Sequence, residues 1–343
     1  VFSIIIKKYR SIFIAIFSLY ISFISMPTTA ASGEKPETFW SYTKYGTLET
    51  VRTPDERFNN LSGYSFSPNY ITVDGLRMHY VDEGPKDGEV ILLLHGEPTW
   101  AYLYRKMIPA LADRGYRVIA PDLIGFGRSD KLLNKSDHSY ARHVVWMKEF
   151  VKAMKLKKIT LFVQDWGSYI GLRVAAGLKG RFDRVLLSNG GLPTGENTPL
   201  GFYAFKFSVD LAGEHFPIAE IMQVGTVSIL KKDELLAYLA PYPNTYYTAG
   251  PDVFDDLVPT SPDMAGATKN KEVWKIYENW HKPFLTVFGK LDLVLGTLFK
   301  EFKERVPGAQ GQQHDIIPFA SHFIQEDAPN DLVNHLDNFI KNN

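Results

Sequence analysis

The 343-residue chain reads as an α/β fold, a mostly parallel, doubly wound sheet with a helical cap inserted late in it. Three observations carry that expectation. Short apolar runs alternate with helix-period patterns, the rhythm of parallel strands joined by helices. Val90–Leu94 is apolar at every position, as a strand buried on both faces must be. From Ser188 to about Asn270 the rhythm breaks into Gly190-Gly191, several prolines and aromatic helical pieces, with no clear buried strand.

Taken in order, Tyr70–Val73 and Leu76–Asp82 flank Asp74-Gly75, a dipeptide suited to a two-residue hairpin turn. Val90–Leu94 ends in His95-Gly96, and a helical pattern follows over Tyr102–Ala112. Tyr116–Ala120 is a second buried strand, closed by Pro121-Asp122. His138–Met154 and Trp166–Gly177 carry helical periods around the strand Ile159–Val163, and Arg184–Leu187 is the next strand. After the break, Phe284–Phe288 restores the strand pattern and Ala328–Ile340 forms a closing helix. This divides the chain into a main domain of 51–190 and 271–343, a cap of 191–270, and a linker of 32–50.

Composition narrows the function classes. Thirty-eight basic residues balance thirty-eight acidic ones, so there is no global field to attract nucleic acid or an anionic membrane. The absence of cysteine excludes disulfides, thiolate metal sites and cysteine nucleophiles. At the start, Lys7, Lys8 and Arg10 precede the uncharged apolar run Ser11–Ser25, and small residues follow at Thr28 to Ala31. That order describes a secretory signal over 1–31, and with it a periplasmic or secreted protein. The run is shorter than the roughly 20 residues of a bilayer-spanning helix, so no stable membrane span is expected in the mature protein. The first residue is Val1; translation from Met26 would omit the run and leave the protein in the cytoplasm.

The stretch Leu161-Phe162-Val163-Gln164-Asp165-Trp166-Gly167 runs from a buried strand straight into a helix. A sharp turn there lifts one side chain above the sheet edge, and that residue is Asp165. A carboxylate can attack saturated carbon or an epoxide and form an ester that water then hydrolyses. The alternative is an aspartate that caps the helix beginning at Trp166. The partners favour catalysis. Gly289-Lys290-Leu291-Asp292 places an acid on the loop after a later strand, and Ile316 to Phe323 places His322 after the last one. Nucleophile, acid and histidine in that chain order is the α/β-hydrolase arrangement, and all three fall where such sheets bind ligands. Of the nine histidines, His322 alone has this placement. His138 and His143 are five apart, off the spacing that shares a helix face. His79, His215, His281, His314 and His335 read as surface or satisfied structural residues. His95 belongs to a loop, His95-Gly96-Glu97-Pro98, that can offer backbone N–H groups to an oxyanion; the donors are assigned to Glu97 and to Trp166 after the nucleophile.

Seven motifs resemble haloalkane dehalogenases: Arg52–Phe58, Phe66–Tyr70, His95–Trp100, Tyr102–Met107, Pro121–Lys131, Val163–Gly167 and His322–Glu326. The similarity runs from about Val51 to the C-terminus and is closest to the subfamily whose acid follows the strand after the cap. It implies the α/β-hydrolase fold and a two-step reaction. Asp165 displaces halide from carbon, and His322, oriented by Asp292, activates water against the resulting ester. The implied partners are a small halogenated alkane, water and halide, with no metal or organic cofactor. Tyr169 and Phe202 are implied as pocket walls.

The chain departs from the family where halide is held. Such enzymes grip it between two indole N–H groups; Trp166 supplies one, but the matching cap position is Phe205, which offers none. Nor is there the asparagine that another subfamily carries after His-Gly, since that position is Glu97. Two other readings stay open on this account. Epoxide hydrolases share the fold and the aspartate nucleophile but need cap tyrosines, and Tyr203, Tyr238, Tyr242, Tyr246 and Tyr247 are available. Gln164, however, resembles the dehalogenases, as epoxide hydrolases usually have histidine there. The third reading is a non-catalytic binding module on the same scaffold.

Overall fold

In the computed structural model, which describes residues 33–213 and 215–343, the chain opens with a β-hairpin. The expected export signal over 1–31 and the alternative start at Met26 lie outside the described residues. Strands β1 (Phe39–Thr43) and β2 (Gly46–Val51) pair antiparallel. The segment expected as a linker is therefore structured. Leu48 and Thr50 alternate inward around the outward Glu49, a two-residue period too short to stand out among its charged neighbours.

The next hairpin is as expected, with β3 (Asn69–Val73) and β4 (Leu76–Glu83) joined at Asp74 and Gly75, both at positive φ (49° and 78°). A Cβ on Gly75 would lie 2.2 Å from the Tyr42 carbonyl oxygen, so the first hairpin packs against the second only because this residue is glycine. Strands β5 (Val90–Leu94) and β6 (Arg117–Pro121) follow, and the two-residue β7 (Lys131–Leu132) completes a small sheet with β2 and β1. Between β5 and β6 the single helix expected over Tyr102–Ala112 is broken. A 3₁₀ turn spans Ala101–Tyr104, and α1 (Ile108–Ala112) starts afresh. Pro109 explains this, because it has no N–H to continue a helix from upstream and is at home in a first turn.

Helix α2 (Tyr140–Ala153), capped by the Ser139 side chain, leads to β8 (Ile159–Asp165), α3 (Trp166–Gly177) and β9 (Phe182–Gly190). The last is longer than expected, since Ser188–Gly190 continue beside β8 through a register shift at Gln164/Asp165. Among the described residues, no strand occurs from there to β10. The intervening chain carries α4 (Leu200–Ala212), α5 (Ile218–Val224) and α6 (Lys232–Leu239). Helix α7 (Ala267–Tyr277) returns to the main layer, where Trp274 Nε1 donates to Leu192 O and the Tyr277 hydroxyl to Leu172 O. Strand β10 (Phe284–Gly289), α8 (Phe299–Arg305), β11 (Asp315–Ile317), α9 (Ile324–Asp327) and α10 (Pro329–Lys341) complete the chain. Among the described residues no helix is long and apolar enough to cross a membrane.

The main sheet has the order β11-β10-β9-β8-β5-β6-β4-β3, parallel from β11 to β6 and antiparallel beyond. The chain steps from β5 outward to β6, then crosses back to β8 on the other side of β5. That reversal opens a crevice at the carboxyl ends of β5 and β8. A buried polar cluster ties α6 above to the main layer. Arg105 donates to Glu326 at 2.5 Å and to Glu234 at 2.6 Å, and the Tyr238 hydroxyl also reaches Glu326 at 2.5 Å. Trp100 Nε1 adds a bond to Ala237 O.

Candidate active site

Asp165 ends β8 with φ 49° and ψ −130°, a conformation that a non-glycine residue adopts only under constraint. The constraint is the closeness of two loops. A Cβ on Gly167 would sit 2.0 Å from Leu94 O, and one on Gly96 would sit 2.1 Å from Asp165 Oδ1. The loops after β5 and β8 therefore touch backbone to side chain. Asp165 makes no side-chain cap bond to α3, which removes the helix-capping alternative. Its Oδ1 instead accepts the Glu97 N–H at 2.8 Å.

His322 follows β11, and its ring is almost wholly enclosed. Nδ1 lies 3.2 Å from Asp292 Oδ2, and Nε2 lies 3.6 Å from Asp165 Oδ2. The other oxygen of Asp292 accepts the N–H groups of Val294 (2.8 Å) and Leu295 (3.0 Å), so the carboxylate cannot turn away from the ring. Burial alone would lower the basicity of His322, but Asp292 and Asp165 outweigh it and raise the imidazole to about 10. The structure thus brings Asp165, Asp292 and His322 together from three separate strand ends.

Two further residues hold this arrangement and escaped sequence reasoning as site residues. Asn189 donates to Ser321 O at 2.6 Å and His322 O at 2.9 Å while accepting the Gly289 N–H at 2.8 Å. It joins the histidine loop to the strand that precedes Asp292. Its positive φ of 33°, next to Gly190-Gly191, marks an irregular strand end. Gln164 Nε2 lies 3.1 Å from His322 Nε2 and 3.2 Å from His322 O.

His95 is buried and neutral. Its Nε2 accepts the Leu123 N–H at 2.9 Å, leaving Nδ1–H for Gly96 O at 2.9 Å. Burial also lowers its basicity, so it shapes the loop bearing Glu97. Trp166, the first residue of α3, has a backbone N–H with no intrahelical acceptor. Its indole Nε1 is buried without a hydrogen-bond partner, while the ring packs on Phe254 (4.6 Å), Tyr140 and Tyr169 (5.2 Å each). Tyr169 and Phe202 line a cavity of about 230 Å³ whose walls also carry Glu196, Lys271, Glu301 and Arg305; Asp165, Trp166, Asp292 and His322 are not among its lining residues. Phe205 is half-buried and packs on Phe202 (6.2 Å) and Phe216 (6.1 Å).

One histidine expectation changes, and that for His79 holds. His138 and His143 do meet, with Nδ1 and Nε2 3.0 Å apart and rings stacked, because His138 precedes the cap residue Ser139 and helical spacing does not apply to it. His79 is fully buried and held by Asp122 at 2.8 Å.

A sheet of this order, with an acid on a strand-to-helix turn and a histidine–acid pair beside it, defines an α/β hydrolase, and residues 89–220 match the alpha/beta hydrolase fold family. More narrowly, the chain belongs to the haloalkane dehalogenase family. It is 46% identical over 295 residues to the haloalkane dehalogenase of Mycobacterium marinum, covering 84% of this chain and 99% of that one. It is 44% identical over 303 residues to the one from Psychrobacter cryohalolentis, covering 86% and 99%. The tetrameric haloalkane dehalogenase DpaA from Paraglaciecola agarilytica superposes with a TM-score of 0.78 at 33% identity, covering 85% of this chain and 98% of that one.

Proposed function

We propose that this chain hydrolyses the carbon–halogen bond of haloalkanes, with Asp165 as nucleophile, His322 as base and Asp292 as its orienting acid. The carboxylate of Asp165 attacks the halogen-bearing carbon; a C–O bond forms as the C–X bond breaks, and the pair of electrons leaves with the halide. His322 then takes a proton from water, the oxygen adds to the ester carbonyl of Asp165, and the N–H groups of Glu97 and Trp166 face the developing oxyanion. Collapse of that intermediate releases the alcohol. The proton leaves from His322, and Asp165 is a carboxylate again.

One observation carries this reading. His322 is held between Asp292 and Asp165, and the residue that follows Asp165 carries an indole N–H that is buried and unpartnered. An unsatisfied buried donor is costly unless something else fills its need, and a halide ion does so. For epoxide opening, a cap tyrosine must face the substrate. The Tyr203 hydroxyl is engaged by Thr260 O and that of Tyr238 by Glu326, but the buried Tyr242 hydroxyl has no partner and keeps that second reading testable. Incubating the protein with a short bromoalkane and, separately, the matching epoxide decides between them. Equal release of bromide and acid is expected from the first; diol from the second without bromide from the first would overturn the proposal.

A further inference from the structure

Gln164, the residue before the nucleophile in β8, is wholly buried. Its amide nitrogen lies 3.2 Å from His322 O and 3.1 Å from His322 Nε2, while its oxygen is sealed from solvent without a hydrogen-bond partner. The Ser188 hydroxyl, on the residue paired with Gln164 in β9, is likewise unpartnered, so the sheet does not fix the amide; His322 does. Turning the amide over would set its oxygen against His322 O, which also accepts from Asn189 at 2.9 Å. The carboxamide therefore leaves its oxygen unsatisfied, a costly state for a buried acceptor, and keeps its nitrogen on the histidine.

That orientation bears on one proton. An imidazole whose Nδ1–H faces Asp292 has a lone pair on Nε2, to which an amide N–H can donate. An imidazolium carries a proton on Nε2 instead, and the two N–H groups then oppose each other. Gln164 thus favours the neutral ring. The charges that face the ring favour the cation: Asp292 from the loop after β10 and Asp165 from the end of β8. On the histidine's own segment, Phe323 is uncharged and Glu326 is committed to Arg105 and Lys106. While Asp165 is a carboxylate, the two acids prevail. Once it is an ester, Asp292 alone pulls towards the cation, and the amide opposes it at Nε2 itself.

We propose that Gln164 is a positioning residue for the hydrolytic half of the reaction: its amide N–H, anchored on His322 O, holds Nε2 of His322 unprotonated in the alkyl-enzyme until water takes over that lone pair. Water then gives its proton to Nε2 as its oxygen adds to the ester carbonyl, and the amide keeps its bond to His322 O. This role rests on the ester mechanism given above.

Single-turnover reactions with a bromoalkane test it in Gln164→Met and Gln164→Glu, with bromide release followed across pH for displacement and alcohol release for hydrolysis. The thioether fills similar volume without an N–H. The pH midpoint of hydrolysis should therefore rise by about one unit, as for loss of one hydrogen bond to the neutral ring. The carboxylate keeps the shape of the amide but sets an acceptor against Nε2, so its midpoint should rise further. Displacement needs no base and should keep the parental midpoint. If Gln164→Met fails to fold, the isosteric Gln164→Glu decides. Parental hydrolysis midpoints would overturn the assignment, as would an equal slowing of both half-reactions with no shift, because a merely structural role changes rates without moving the titration. A parent that releases no bromide would instead overturn the ester mechanism, so the two failures are distinguishable.

Discussion

His322 Nε2 stands 3.6 Å from Asp165 Oδ2, too far for a direct hydrogen bond yet close enough for the charge on Asp165 to help keep the imidazole protonated. Turning that carboxylate into a neutral ester removes the charge. In the proposed mechanism the basicity of His322 would then fall at the step where a free base is next required.

His322→Gln should permit displacement and stall hydrolysis. Intact-protein mass spectrometry after exposure to a bromoalkane should show one alkyl adduct per chain, mapped to Asp165. Undiminished multiple turnover would remove His322 from its role.

Asp292→Asn should lower the basicity of His322 from about 10, since Asp292 is the largest influence raising it. A histidine held above its ordinary value of 6.5 stabilises the fold fully below that pH and loses its contribution as pH rises through about 10. Urea midpoints of the parent should therefore fall between those limits, with a flatter profile in Asp292→Asn. In single turnover, ester hydrolysis should slow far more than displacement.

Phe205→Trp should add an indole donor at the half-buried edge of the Phe202–Phe205–Phe216 cluster. The added donor should tighten bromide binding about threefold, as read by tryptophan fluorescence. Chloroalkane turnover should rise with it. Unchanged bromide affinity and chloroalkane turnover would place the Phe205 side chain away from the departing halide.

Arg105→Ala should destabilise the protein by about 3–5 kcal/mol, because Glu326 would be left as a buried charge answered by Lys106 at 2.7 Å and the Tyr238 hydroxyl at 2.5 Å. Denaturant unfolding gives the value, and a loss under 1 kcal/mol would show that Lys106 suffices.

The meeting of Asp165, Asp292 and His322 was legible because the first two follow strands with plain apolar runs, through Val163 and Phe288, and His322 follows the short Ile316-Ile317 pair. What could not be read depends on distance through space. Asn189 has no motif of its own; only the fold shows that one side chain ties together Ser321, His322 and Gly289. His138 and His143 were separated by a helical rule that applies to one of them. The β1–β2 hairpin was hidden because short, half-exposed strands carry few apolar residues. Phe205 stood out as a missing donor, whereas the unpartnered indole N–H of Trp166 became visible only with its surroundings.

The Arg105 cluster makes one edge of the cap stiff and leaves the other soft. Helix α6 is bolted to the segment directly after His322 through Glu326, Tyr238 and Trp100. Helix α4, in contrast, buries only Phe202 and Val209 and turns Leu200, Phe207 and Leu211 to solvent. Local opening draws on the least anchored elements, so amide exchange should be fast along Leu200–Ala212 and slow along Lys232–Leu239. Opening of the cap should then begin on the α4 side and leave the Glu326 contacts near His322 in place.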